Sequence, residues 1–74
     1  MTTLTMPTAT RDERVAYLMD RSMALAARWV ENGLTPREVD RFSRVTKALA
    51  RLLGDDVTAL REALIEDARS EVAA

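Results

Sequence analysis

The chain contains neither cysteine nor histidine. Without cysteine no disulfide staples the fold and no thiolate is present to hold a soft metal. Without histidine the commonest general base and the commonest metal ligand are both missing. There are only two glycines, and no glycine-rich phosphate loop. Ser22, Ser43 and Ser70 have no base at helical spacing to activate them. One enzymatic route is left, in which arginines on facing helices, such as Arg14, Arg28 and Arg51, bind a small dianion inside an oligomer. Surface ion pairs are the commoner fate of such arginines. The expectation is therefore no enzyme, no cofactor and no metal site. No run approaches the length of a membrane span. The first residues lack a charged start followed by an apolar run, so no signal peptide is expected. A cytoplasmic location is expected, with no membrane partner. The net charge of −1 gives no overall bias toward nucleic acid or anionic lipid.

Alanine, arginine and leucine dominate instead, with one Trp, one Tyr and one Phe. That is the composition of a helix bundle. At 74 residues the chain makes one small domain, of a size at which a core alone supplies little stability. Helix packing must supply it, with help from partner chains.

The segment Trp29–Val39 reads as a helix end, a short connection and a new helix start. Gly33 suits a left-handed position after a helix. Thr35 is an N-cap, Pro36 fits the first helical position, and Glu38 completes a Thr-x-x-Glu capping box. Leu34 is placed to touch Val39 as a staple and Trp29 across the helix end. So short a connection predicts an antiparallel hairpin.

Residues 1–9 hold four threonines, one proline and no charge, and read as a mobile tail, or as a partner-binding arm using Leu4 and Met6. Residues 10–74 read as a single all-helical domain with helices at about 11–32, 36–53 and 56–72. Thr10 with Glu13 opens the first through a second capping box. At roughly 100° per residue, Val15, Leu18, Met19, Met23, Leu25, Ala26, Trp29 and Val30 share one side of it. The apolar arc covers roughly 200°, wider than the ~100° stripe of a surface helix. Met19, Met23, Ala27 and Val30 are therefore the candidate oligomer or partner interface. The polar side is sorted by sign, with Glu13, Asp20 and Glu31 on one edge and Arg14, Arg21 and Arg28 on the other. The second helix buries Val39, Phe42, Val45, Thr46, Leu49, Leu52 and Leu53, and Gly54 stops it. Its opposite face carries Arg37, Arg41, Arg44, Lys47 and Arg51, with Asp40 among them. Asp55 or Asp56 caps the third helix, whose apolar line is Val57, Leu60, Leu64 and Ala68, with Ile65 beside it. Glu62, Glu66, Asp67 and Glu71, set against Arg61 and Arg69, make it the acidic partner face.

The fold expected is all-α, a long antiparallel helical hairpin plus a shorter third helix, three-helix bundle-like and oligomeric. The leading function is a non-enzymatic assembly or adaptor module, forming homo-oligomers and binding a larger protein partner. Complementary charges on the second and third helices set register between copies, in a ring if head-to-tail and in a dimer if two-fold. The alternative is a DNA-binding or DNA-packaging accessory that contacts phosphates through Arg37, Arg41, Arg44, Lys47 and Arg51. Viral small terminase subunits, which form rings from helical hairpins, are the architectural analogy. No aromatic residue interleaves with that row, which argues against single-strand stacking. The major-groove motif fits poorly, because a recognition helix at the third position is acidic and one at the second follows an unusually long first helix. A third reading is a small inhibitor or antitoxin-like regulator docked on a larger enzyme.

Overall fold

Thr10 sets where the first helix begins. In the computed structural model, which describes residues 10–73, its hydroxyl accepts the Glu13 N–H at 3.1 Å. The Glu13 carboxylate accepts the Thr10 N–H at 2.9 Å in return. Two of the amides left orphaned at a helix start are thus satisfied reciprocally. From that box α1 runs Arg11–Asn32, followed by α2 Pro36–Leu53 and α3 Val57–Ala73. The described residues are all-helical, with three helices and no strand. The tail expected at residues 1–9, and Ala74, lie outside the described residues.

The turn between α1 and α2 has the chemistry its residues imply. Thr35 Oγ1 accepts the Glu38 N–H at 3.2 Å, Glu38 Oε1 accepts the Thr35 N–H at 3.0 Å, and Pro36 opens the helix. Gly33 differs from the expectation. Its φ of 78° is positive, but its ψ of 167° lies outside the left-handed helical well. That region is open to glycine almost alone, which makes the position stricter than an ordinary helix stop. The Gly33 N–H still donates to Trp29 O at 3.0 Å. Gly54, at φ 73° and ψ 25°, is the ordinary left-handed stop. The next amide, Asp55 N–H, donates to Ala50 O at 3.0 Å, closing the wider loop of a Schellman end. Asp56 rather than Asp55 caps α3, its Oδ2 accepting the Ala59 N–H at 3.0 Å.

Each helix packs against the other two. The buried apolar side chains are Leu25 and Ala26 from α1, Phe42, Leu49 and Ala50 from α2, and Leu64 and Ala68 from α3. Met19, Val30, Leu34, Leu60 and Ile65 lean on this core from its margin. Trp29 meets Phe42 edge-on, with ring centroids 5.6 Å apart. The ends of α1 and α2 are tied by polar contacts. Arg28 Nε lies 2.8 Å from Glu38 Oε2 beside the turn. At the far end an Arg11 Nη2 amine donates to Leu52 O, a carbonyl left free where α2 stops. A cation there also complements the negative end of the α2 dipole.

Two expected core positions are corrected. Val39 is 45% exposed and Trp29 41% exposed. Both stand near the turn, Trp29 on α1 and Val39 on α2, and line a pocket to which α3 brings Arg61 and Ile65. Into the centre goes a residue the apolar pattern omits: Ser22 is fully buried, as is Thr46. Both are small enough to let the helices approach closely.

Candidate functional site

The α2 row grows from helical spacing alone. At roughly 100° per residue Arg37, Arg41, Arg44, Lys47 and Arg51 fall within about 120°, opposite Phe42, Thr46 and Leu49. All five are exposed. Arg44 Nε lies 3.2 Å from Asp40 Oδ2, with both side chains more than half exposed, a pairing worth only ~0–1 kcal/mol. The other four make no ion pair among the described residues. Two shallow grooves run between their stems, of about 340 Å³ and about 290 Å³, and Arg44 borders both.

The third helix leaves that row open. It reaches α2 on a different side, through Arg61. Arg61 Nε donates to Thr46 Oγ1 at 2.8 Å, and its Nη2 donates to Ser43 O at 3.0 Å and to Ser43 Oγ at 3.2 Å. Thr46 in turn donates to Phe42 O at 2.6 Å. Arg61 was expected among the acids of its own helix. Its three partners lie fifteen to eighteen residues earlier, a distance no local pattern spans.

Glu62, Glu66, Asp67 and Glu71 are all exposed. They do not share one stripe. By helical rotation Glu62 and Glu66 lie on the outer side and Asp67 and Glu71 on a flank, spread over roughly 180°. Arg69 stands beside the first pair, its Nη1 3.8 Å from Glu66 Oε2.

On α1, Met19 and Val30 are half-buried against the core, Ala27 is half-buried, and Met23 is 43% exposed. The four make one ridge that climbs from the core into solvent. A separate apolar pocket of about 230 Å³ is lined by Trp29, Val39, Phe42, Ser43, Arg61 and Ile65. It is smaller than the ~300–1,000 Å³ clefts that take drug-sized ligands. The pocket is made by residues of all three helices, which no single-helix pattern reveals.

The two capping carboxylates carry the electrostatic signature of the helix starts. The Thr10 N–H holds the Glu13 carboxyl below its ordinary range, helped by the Thr10 hydroxyl contact. The Thr35 N–H does the same for Glu38 against a smaller opposing effect of burial, and Arg28 adds to it. These shifts mark structural caps. Among the described residues no group of three or more acidic side chains is placed to hold a metal ion. No described helix is long and apolar enough to cross a membrane. Compared with protein-family models, curated proteins and solved structures, the chain has no significant match.

Proposed function

We propose that the chain is a non-enzymatic helical assembly module, in which α1 and α2 form an antiparallel hairpin braced by α3 and a second copy covers the α1 ridge. One observation carries this reading: the bundle buries seven apolar side chains, three of them alanine, while leaving Met23 43% exposed beside the core. A core of that size supplies a small domain with little stability to spare. Covering Met23, Ala27 and their margin removes further apolar surface from water, at roughly 25 cal/mol per Å². The ridge spacing of four, four and three residues suits a helix of another copy. Ala27 lets that helix approach closely, and Met23 adapts to an irregular facing surface. A two-fold arrangement places the ridge against itself, the simplest closed form. The same ridge serves a larger helical partner.

The test is a charge placed in the ridge. Met23→Lys combined with Ala27→Glu should return the particle to monomer mass in light scattering, while circular dichroism keeps its helical content. Unchanged mass in the double variant would refute the ridge as the contact.

A further inference from the structure

We propose that α1 and α2 together present a single phosphate-binding face, and that its ligand is the backbone of duplex nucleic acid. This goes beyond self-association, which uses the opposite flank of α1. The argument starts from two contacts. Arg11 and Arg28, at opposite ends of α1, both reach α2, through Leu52 O and Glu38. Arg14 and Arg21 lie between them both along the helix and in rotation about it, so they border the same seam. On the other side of the seam Arg41 neighbours Glu38, followed outward by Arg37, Arg44, Arg51 and Lys47. Nine of the eleven basic residues thus gather on one face. Glu38 and Asp40 are the only carboxylates among them, and each already faces an arginine. Of the acids of α1, Glu13, Asp20 and Glu31 lie on its other edge, and Asp12 lies on the side away from the seam. A net charge of −1 conceals this segregation.

Three of the guanidinium groups are held at Nε, behind the outer fork. Arg21 Nε donates to Tyr17 Oη at 3.0 Å, and its guanidinium lies 5.2 Å from the Tyr17 ring centroid. Arg28 and Arg44 make their closest carboxylate approaches through Nε as well. An arginine pinned at Nε loses little further freedom when its outer fork closes on a phosphate. Each basic row spans fourteen residues, about 21 Å, which matches roughly six phosphates of one strand. The rows sit on neighbouring helices whose axes are ~8–10 Å apart.

The third helix of another copy is the competing occupant, and its charge distribution disfavours it. Glu62 and Glu66 face one way with Arg69 beside them, and Asp67 and Glu71 face another. No flank of α3 offers more than two acids to a face with seven cations that have no carboxylate partner among the described residues. An extended polyanion does. Tyr17, the aromatic on this face, has Arg21 against its ring yet stays 58% exposed, and a lone ring falls short of the series of stacking side chains that a single strand uses. That favours duplex over single strand.

The experiment is fluorescence anisotropy with the full chain and a labelled duplex of arbitrary sequence, titrated at several salt concentrations. Affinity should fall about a thousandfold between 50 and 200 mM salt, as expected for about six phosphate contacts. Arg14→Gln with Arg21→Gln should weaken binding at low salt and reduce the log–log salt slope by about 1.8, two contacts' worth. Arg14→Lys with Arg21→Lys should keep the slope, which separates charge from a folding defect. Absence of duplex binding at low salt would overturn the proposal, and so would an unchanged slope in the glutamine variant. Single strand binding as tightly as duplex would overturn the duplex assignment. Poly-L-glutamate displacing the probe as well as unlabelled duplex does would replace nucleic acid with an acidic protein surface.

Discussion

Two hydroxyls are fully buried in this bundle, and their removal should change stability in opposite directions. Ser22 Oγ has no hydrogen-bond partner. Thr46 Oγ1 donates to Phe42 O at 2.6 Å and accepts from Arg61 Nε at 2.8 Å. An unsatisfied buried polar group costs about 1–3 kcal/mol of desolvation. Ser22→Ala removes that cost and gains up to ~0.5 kcal/mol of helix propensity. The single-atom void it leaves costs only a few tenths of a kcal/mol, at ~24 cal/mol per Å³. The net expectation is stabilisation by about 1–2 kcal/mol. Thr46→Val keeps shape but removes the acceptor for Arg61, a contact of a charged donor. It should destabilise by about 1.5–3 kcal/mol. For a domain of this size each kcal/mol moves Tm by about 4–8 °C. Thermal melts followed by circular dichroism at one fixed protein concentration resolve both changes, and the fixed concentration matters because self-association shifts Tm. Ser22→Ala lowering Tm, or Thr46→Val raising it, would refute the reasoning.

Three further outcomes follow from the helix ends. Neither glycine has an atom within 4 Å of where a Cβ would stand, so substitution there costs backbone strain alone. Gly54→Asn should cost less than Gly54→Ala, because asparagine tolerates the left-handed region; Gly33→Asn and Gly33→Ala should both cost about 1–3 kcal/mol, read from chemical denaturation. The lowered carboxyls of Glu13 and Glu38 stabilise the fold above their unfolded pKa of about 4.3, and that contribution is lost as pH falls through the lower folded values. Glu13→Gln with Glu38→Gln should therefore be less stable than the parent at neutral pH, with the gap closing as pH falls to about 3; a gap independent of pH would contradict this.

What the chain displays locally is legible in its residues. Thr10 with Glu13 and Thr35 with Glu38 are capping boxes because each partner lies within one helical turn, so the two long helices begin where the pattern puts them. Gly54 stops α2 for the same local reason. The centre of the bundle is less legible. Ser22 occupies it because close helix approach needs a small side chain, and hydrophobic patterning discards a serine. Arg61 bonds Thr46 and Ser43 across the bundle, although its sequence neighbours mark it as one cation among acids. Val39 has the spacing of a buried residue yet is 45% exposed, lining an open pocket with Arg61 and Ile65 of α3. Arg14, Arg21 and Arg28 are visible as a row, but only the contacts of Arg11 and Arg28 with α2 show which helix the row borders.

The central claim is that the α1 ridge is covered by another copy. Sedimentation equilibrium of the unmodified chain over a wide range of loading concentrations tests it most directly. A weight-average mass that rises with concentration from 8.3 kDa toward an integral multiple is the predicted result. A mass of 8.3 kDa at every concentration would contradict it.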